Sequence, residues 1–347
     1  MQSAEDGAGD GFYSAGGDRE PYYSLNIFLR QKFGGKVYRI ALNPGFTCPN
    51  RDGTIGTGGC TFCLAGSGTF AGNPRRTIDE QITEGMRGLA QFRPKAYIAY
   101  FQAFTGTYAP LPVLRDRYRQ AFARPEIAAV SIATRPDCVP EDVLDLLDEI
   151  HGTKPVWIEL GLQTAREETA VRIRRGYALP CFEDAVRRIR RHGFDVIVHV
   201  ILGLPGETRE DMLHTVRYAG RMDIQGIKLQ LLHVLQGTEL SDEYRRGAFR
   251  VLTREEYVDL VCTSIGLLPR NIVIHRMTGD GPSQELIAPQ WSTAKRTVLN
   301  EIHHALKVRE ITQGCMRGDE KHERGITDAD QTDDSIHAEQ SEFSALG

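Results

Sequence analysis

Three cysteines carry the strongest chemical signal in this 347-residue chain. Cys48, Cys60 and Cys63 form a C-x11-C-x2-C pattern, and four glycines between the first two allow the segment to fold tightly around a bulky object. A structural zinc site is closed by four ligands, whereas a cubane iron–sulfur cluster held by three cysteines keeps one iron open. The spacing leaves three interpretations: an iron–sulfur cluster, a zinc site completed by a distant residue, or unligated thiols.

Other polar residues stand where predicted strands end. Gln102 and Thr105 follow the second strand, Thr134 and Arg135 follow the third, and Gln163 ends the fourth. The carboxyl ends of the strands surround the active site in β/α barrels, so these side chains are candidates to face one ligand. Taken singly, each of these residues also has a purely structural explanation, as a turn residue or as a surface arginine.

Three basic side chains lie in or just after later strands. His199 interrupts an apolar strand, where a histidine is more often a satisfied core residue than a ligand. Lys228 and His233 mark the end of the sixth strand and could bind an anionic substrate. The alternative for Lys228 is a side chain that reaches solvent along an apolar stem.

The elements that would position these residues alternate between strands and helices. Continuous apolar runs predict buried parallel strands, and apolar residues at helical spacing predict the helices between them. A capping box, Thr77 to Glu80, starts one helix and Thr208 to Asp211 starts another. Strands are predicted at 37–42, 96–101, 128–133, 156–160, 196–202 and 226–231, and further helices at 140–150, 182–192, 208–219, 254–267 and 293–309.

This alternation predicts an α/β fold, a partial TIM-like (β/α)6 barrel with a C-terminal addition. The C-terminal third offers one further unit at most, with a strand at 272–275. A closed eight-unit barrel is therefore not expected.

Composition excludes several classes of protein. Hydrophobic residues make up 41% and charged residues 25%, as in soluble globular proteins, and no apolar run approaches the roughly 18 residues of a membrane helix. Residues 1–20 lack the features of a signal peptide, so we expect a cytoplasmic protein. The seven cysteines are then expected to be reduced.

Charge is distributed unevenly along the chain, whose formal net charge is −4. Residues 1–20 carry a net −4 and residues 317–347 a net −6, which leaves +6 on the 296 residues between them. A mildly basic core suits an anionic substrate, nucleic acid included, although arginines that solvate helix surfaces explain it as well.

The cysteine loop resembles the cluster-binding loop of radical S-adenosylmethionine (SAM) enzymes. Cys60-Thr61-Phe62-Cys63 matches their C-x-aromatic-C ending, although their commonest spacing is C-x3-C-x2-C. With C-P-N-R-D-G and G-G-C-T-F-C, the longer loop closely resembles the YhcC/YtqA-type subgroup. That subgroup is related to the Elongator catalytic subunit and to oxygen-independent coproporphyrinogen oxidase, and the resemblance covers roughly Tyr22 to Leu306.

Later motifs extend the resemblance strand by strand. T-R-P-D at 134–137 resembles the Elongator relatives, E-L-G-L-Q at 159–163 resembles E-x-G-x-Q, and G-L-P-G at 203–206 resembles a turn that packs against adenine. The resemblance implies SAM contacts by Gln163 and by Arg175, twelve positions later. The chain lacks the G-G-E of many relatives, so Gln102 or Thr105 would have to serve, and His199 stands where oxidase-type relatives carry a ribose-binding Asp.

The resemblance implies a [4Fe–4S] cluster on Cys48, Cys60 and Cys63, with SAM chelated by the open iron. An external one-electron reductant of flavodoxin or ferredoxin type would drive cleavage of SAM to a 5′-deoxyadenosyl radical, which takes hydrogen from the substrate. The implied SAM contacts are Phe62, Gln102, Thr105, Thr134, Arg135, Gln163, Arg175, His199, Gly203, Leu204 and Pro205. The candidate catalytic residues are Cys138, His199 and Lys228, with a packed free thiol as the alternative for Cys138.

The Elongator relatives act on wobble uridine in tRNA, so the leading hypothesis is a radical SAM enzyme that modifies a tRNA nucleoside at a wobble-uridine side chain. Basic clusters at 115–119 and 187–192 could contact phosphate. The alternatives are a radical SAM oxidase or decarboxylase of a small metabolite, and a zinc-stabilised binding protein without turnover. No membrane partner is expected.

The resemblance, together with the polar and acidic composition of both ends, divides the chain into four parts. We expect a disordered tail at 1–20, a radical SAM barrel core at 21–235, a C-terminal addition at 236–312 that covers the barrel mouth, and a disordered acidic tail at 313–347.

Overall fold

Seven parallel strands form one curled sheet that carries the rest of the molecule. The structure, a computed structural model, describes residues 13–15, 18–64, 71–279 and 284–317. The strands of the sheet are β3 (Val37–Leu42), β4 (Ala96–Phe101), β5 (Ile127–Thr134), β6 (Val156–Gln163), β7 (Asp195–Leu202), β8 (Gly226–Leu231) and β10 (Val273–Arg276). Their order is β10-β8-β7-β6-β5-β4-β3, and every pairing is parallel. The predicted partial barrel is confirmed.

Ten α-helices lie in the described part of the chain, and most of them connect consecutive strands of the sheet. They are α1 (Leu25–Phe33), α2 (Ile78–Leu89), α3 (Leu111–Phe122), α4 (Glu141–Ile150), α5 (Glu167–Arg172), α6 (Leu179–Arg191), α7 (Arg209–Arg221), α8 (Glu239–Arg245), α9 (Arg254–Leu267) and α10 (Lys295–Val308). Both predicted capping boxes are present, at Thr77 with Glu80 and at Thr208 with Asp211. Within the described residues, no helix is long and apolar enough to cross a bilayer.

The C-terminal third adds its strand to the main sheet. Strand β10 pairs with β8. Its Ile274 also forms an isolated parallel bridge with Ser24, in which Ile274 N donates to Tyr23 O at 2.8 Å. A second, two-stranded sheet joins β9 (Val234–Leu235) to β11 (Leu286–Ala288) in antiparallel fashion. The seventh strand therefore extends the six predicted units instead of standing apart from them.

The predicted tails differ from the structure where the structure describes them. Strands β1 (Tyr13–Ala15) and β2 (Asp18–Glu20) form a short hairpin, which Tyr13 anchors by stacking on Tyr23 at 5.1 Å and by donating to Arg270 O. At the other end, the buried Gln313 side chain donates to Pro269 O and Ile272 O. These contacts correct the expected disorder at 13–15, 18–20 and 313–317, and the other predicted tail residues, 1–12, 16–17 and 318–347, lie outside the described residues.

Side chains that point into the barrel change character along each strand. At the base, Ile98, Ala129, Trp157 and Ile197 pack against one another and against Leu29 of α1. Strand side chains repeat every two residues, so the next inward positions follow two residues later. These positions are Tyr100, Ser131, Glu159 and His199, which form the polar layer of the barrel. Two residues further along the strands, Gln102, Ala133, Gly161 and Ile201 form the mouth. From the amino to the carboxyl ends of the strands, the interior therefore consists of an apolar base, a polar layer and the mouth.

Candidate active site

A cavity of about 890 Å³ opens at the carboxyl ends of the strands. The polar layer and the mouth of the barrel line its walls, and the loop that carries the three cysteines lines one side. Most candidate residues from the sequence meet here: Cys48, Cys60, Phe62, Cys63, Gln102, Thr105, Thr134, Arg135, Gln163, Arg175, His199, Lys228 and His233. Strand topology alone brings together side chains that are separated by up to 185 positions in the sequence.

Backbone turns shape the cysteine loop between β3 and α2. The carbonyl of Cys48 accepts from Arg51 N at 2.8 Å, and Cys63 N donates to Cys60 O at 2.9 Å. Gly59 adopts a φ of +77°, a left-handed conformation that glycine takes without strain. Burial, reinforced by the neighbouring Cys63 thiol, raises the pKa of Cys60 to about 11. A positive metal centre would reverse this shift, because it stabilises the thiolates that ligate it.

Asn50 organises this loop, although it was not among the residues predicted to form the site. Its amide Nδ2 donates to Arg174 O at 2.7 Å and lies 3.6 Å from the sulfur of Cys60. Gly59 N donates in turn to Asn50 O at 2.6 Å. Asn50 therefore ties the loop to the segment after α5 and offers a donor to one of the three sulfurs. The available signal was its position, two residues after the first cysteine in the C-P-N segment.

Gln163 occupies a strained position at the end of β6. Its φ is +65°, which is uncommon for a residue other than glycine, and the pairing with β7 shifts register between Gly161 and Gln163. Its Oε1 atom is buried and has no hydrogen-bond partner. Strain and an unsatisfied polar atom together at a cavity wall are typical of a ligand-binding position.

Arg175 holds that strand end in place. Its guanidinium donates to Leu162 O and Thr164 O, on both sides of Gln163, and to Tyr177 O at 2.9 Å. The remaining donors approach the Glu167 carboxylate at 3.3 Å. The buried Arg175 side chain is thus committed to neighbours within the chain, and it fixes the backbone that presents Gln163 to the cavity.

Arg135 links the third strand end to the same wall. It makes a bidentate pair with Asp137, at 2.9 and 2.7 Å, and donates to Arg175 O at 2.9 Å. The Tyr177 ring lies between two guanidinium groups, 5.0 Å from that of Arg135 and 4.8 Å from that of Arg175. The Tyr177 hydroxyl donates to Gly161 O. This packing leaves the wall little freedom to move.

A buried ion-pair network forms the polar layer at the bottom of the cavity. Glu159 accepts from Ser131 Oγ at 2.8 Å, from His199 Nε2 at 2.7 Å and from Lys228 Nζ. Burial alone would raise the pKa of Glu159, but the Lys228 ammonium and the His199 hydrogen bond hold it well below its usual range. Burial and the nearby Lys228 ammonium lower the pKa of His199 to about 4, so its imidazole is neutral near pH 7.

Two predicted groups lie away from the cavity lining. Cys138 is buried beside Asp137, whose carboxylate is 3.7 Å from the sulfur, and burial raises the pKa of this thiol. Leu204, from the Gly203–Leu204–Pro205 turn, packs in an apolar cluster with Ile173 and Leu240. That turn supports the cavity from behind, since Ile201 and Leu232 of the same cluster line it.

Glu207, at the end of that turn, makes the free energy of unfolding depend on pH. One carboxylate oxygen accepts from Thr164 Oγ1, the other is buried without a partner, and burial raises the pKa of Glu207 to about 7. Between pH 4.5 and 7 the folded chain holds a proton that the unfolded chain has lost, so the free energy of unfolding falls as pH rises through this window.

We expect Glu207→Gln to match the wild-type free energy of unfolding at pH 5 and to exceed it by about 2 kcal/mol at pH 8. Urea unfolding of both proteins at the two pH values measures this difference. A difference that does not change with pH would contradict the assignment.

The donor set fits the implied cluster in its chemistry. The three thiols line the same cavity. Three thiolates can hold a cubane cluster that keeps one iron open, whereas a structural zinc site needs a fourth ligand. Gln163, with its unsatisfied buried oxygen, provides a polar partner for a ligand bound nearby.

Comparison with known proteins gives consistent matches over most of the chain. The radical SAM superfamily matches residues 43–219, and the radical SAM C-terminal domain matches residues 224–308. YtqA of Bacillus subtilis is 46% identical over 84% of this chain and 92% of its own length. YhcC of Escherichia coli is 38% identical over 85% of this chain and 96% of its own length.

More distant matches include a protein that is named for tRNA and a solved structure. A tRNA uridine(34) acetyltransferase of Methanocaldococcus infernus is 24% identical over 56% of this chain and 36% of its own length. The structure of an archaeal Elp3 from the same organism superposes with a TM-score of 0.61 at 15% identity, over 80% of this chain and 64% of that one. At this identity the structural likeness concerns the fold.

Proposed function

This chain belongs to the radical SAM superfamily and is a radical SAM enzyme, and on that basis we propose that it modifies a tRNA nucleoside, at a wobble-uridine side chain. We assign the cluster ligands to Cys48, Cys60 and Cys63. The observation that carries this assignment is that the three thiols and the strained Gln163 line the same cavity. Family membership removes the support for a zinc-stabilised protein without turnover.

A [4Fe–4S] cluster and SAM, when bound, would supply reductive cleavage of SAM and a 5′-deoxyadenosyl radical that takes hydrogen from the substrate. The chain's own residues bind, orient and shield. Asn50 positions Cys60 and donates toward its sulfur, Gln163 presents a carbonyl oxygen to the ligand, and Arg175 fixes that strand end. The apolar base around Trp157 closes the opposite end of the barrel against water.

Two considerations support tRNA as the substrate. The related acetyltransferase is named for uridine 34 of tRNA, and the central part of the chain carries a formal charge of +6. The predicted basic clusters do not add to this support. Arg188 pairs with Asp184 and Arg190 with Asp223, near the amino end of β7, and Arg115 and Arg119 share Glu149. This internal pairing favours a small-metabolite substrate as the second candidate.

Binding of tRNA tests the proposal directly. We expect the reconstituted protein to bind tRNA with a dissociation constant that rises steeply between 50 and 200 mM salt, by about tenfold or more. Fluorescence anisotropy with labelled tRNA, isolated from cells that lack this enzyme, measures it. Absence of binding at low salt would favour the small-metabolite alternative.

A glycine in β6 provides a test of the SAM site. A Cβ atom added to Gly161 would lie 2.6 Å from the Gln163 amide nitrogen and 3.6 Å from the Tyr177 hydroxyl. We therefore expect Gly161→Ala to displace Gln163 and to weaken SAM binding about tenfold, or ~1.4 kcal/mol. Anaerobic calorimetry with the reconstituted protein measures the affinity.

The matched control for this variant is Gly88→Ala, because a Cβ atom there meets nothing within 4 Å. Its SAM affinity should equal that of the wild type. Equal affinities for all three proteins would show that Gln163 takes no part in SAM binding.

A further inference from the structure

Two cations share one carboxylate in the polar layer at the bottom of the cavity. Arg39 and Lys228 contribute cationic side chains to the cavity lining, and Glu159 is the one carboxylate among the described lining residues. Oxygen Oε2 of Glu159 contacts Lys228 Nζ. Burial lowers the pKa of Lys228 to about 7, and the positive charge of Arg39 adds to this shift. Buried positive charge is costly unless it is paired, so this layer favours a further anion.

Arg39 is the cation that Glu159 balances least. The distance from its Nη2 to Glu159 Oε1 is 3.9 Å, and its closest partner is the ring nitrogen Nδ1 of His275 at 2.9 Å. Burial and the Arg39 charge itself hold the pKa of His275 well below its usual range, so this partner is neutral. The Nε atom of Arg39 is buried and has no hydrogen-bond partner. The side chain still reaches the cavity, with 18% of its surface exposed.

Neighbouring groups fix Arg39 in this position. Its guanidinium carbon lies 5.5 Å from the centre of the Tyr100 ring, and the same ring faces Lys228 Nζ at 4.6 Å. His275 fits beside Gly226, where a Cβ atom would lie 2.6 Å from the imidazole. The guanidinium is therefore held before any ligand arrives, which lowers the entropic cost of binding.

Depth restricts what can reach Arg39. The polar layer lies one inward position below the mouth, about 7 Å along the strands, and the base beneath it is packed with apolar side chains. A nucleic-acid backbone cannot enter so far, but a terminal oxyanion on a small group can. Guanidinium matches the two oxygens of a carboxylate or of a phosphate in geometry as well as in charge.

We propose that Arg39 forms a subsite that binds an oxyanion of the substrate at the bottom of the cavity. The inference rests on the proposed function only in taking uridine derivatives as probes. The shared chemistry is a terminal carboxylate or phosphate, and matched pairs distinguish the two sources. One pair is 5-carboxymethyluridine and 5-carbamoylmethyluridine, and the other is uridine 5′-monophosphate and uridine.

Affinities of the three nucleosides and of uridine 5′-monophosphate for the reconstituted protein, measured by anaerobic calorimetry, test this subsite. We expect the charged member of one pair to bind about tenfold more tightly than the neutral member, since a charge-assisted bond to arginine forms only with the charged one. Preference within the first pair identifies a carboxylate on the base, and preference within the second identifies a phosphate.

Variants then locate the preference. Arg39→Met should abolish the preference for the charged member of the pair, so that the two affinities differ by a factor of about one, and Arg39→Lys should keep part of the preference. Lys295→Gln removes a different cation from the same cavity lining and should leave the preference intact. Iron content and thermal unfolding show whether each variant is folded. Equal affinities within both pairs, no measurable binding of any nucleoside at millimolar concentration, or a preference that survives Arg39→Met would overturn the proposal. Because SAM cleavage is not the readout, failure here is distinguishable from failure of the tRNA experiment.

Discussion

Loss of any one of the three loop cysteines is expected to abolish turnover. Cys48→Ala, Cys60→Ala and Cys63→Ala should each lower 5′-deoxyadenosine release by about a thousandfold or more, because two thiolates cannot hold a cluster that needs three and leaves one iron open. Iron and acid-labile sulfide should fall in parallel. Reconstitution without oxygen, followed by reduction with dithionite in the presence of SAM, measures all three quantities.

Cys315 and Cys181 provide the matched controls. Cys315 is exposed, Cys181 is half-buried on α6, and neither lines the cavity. Cys315→Ala and Cys181→Ala should keep the wild-type iron content and the wild-type rate. A loop variant that retains full iron and full release would show that the cluster is held elsewhere.

Removal of the Glu159 charge is expected to destabilise the fold more than any other single change considered. Burial lowers the pKa of Lys228 to about 7 even beside Glu159, so without that carboxylate Lys228, 1% exposed at its side chain, must either release its proton or remain a buried charge without its partner. Breaking a buried pair in this way costs about 3–5 kcal/mol of unfolding free energy. Glu159→Gln should show this loss in urea unfolding at pH 7.

Two further variants serve as controls for the loss of stability expected of Glu159→Gln. Glu149→Gln makes the same chemical change at a carboxylate that is 53% exposed and shared by two arginines, and it should cost about 1 kcal/mol or less. The double variant Glu159→Gln/Lys228→Met removes both charges and should recover more than half of the loss. A Glu159→Gln protein as stable as the wild type would mean that Lys228 is not charged in the folded state.

The sheet followed from sequence because its strands satisfy local and global preferences at once. The predicted bounds of β3, β4, β8 and α9 coincide with the structure, and β4 is an apolar run that parallel packing buries from Tyr97 to Phe101. Helix α1 was not predicted. Its Leu29 is buried only because the base of the barrel receives it, so tertiary packing and not a local pattern defines its place.

The residues at the mouth of the cavity were predictable from the sequence, whereas the contacts within the polar layer were not. Polar residues at strand ends were identified because β/α barrels direct those ends to one place. The contact between Glu159 and Lys228, 69 residues apart, depends on the register of β6, β7 and β8, which one sequence does not reveal. A single charged residue within a mainly apolar strand, as Arg39 in β3 and Lys228 in β8, was the available signal for this layer.

Transfer of hydrogen from the substrate tests the central claim most directly. Bulk tRNA would be isolated from cells that lack this enzyme, grown either in deuterated or in ordinary medium, and added to the reduced, reconstituted protein with unlabelled SAM. Mass spectrometry of the 5′-deoxyadenosine should then show incorporated deuterium with labelled tRNA, none with unlabelled tRNA, and no product from the Cys48→Ala protein. Release of 5′-deoxyadenosine that contains no deuterium in the presence of labelled tRNA would contradict the account.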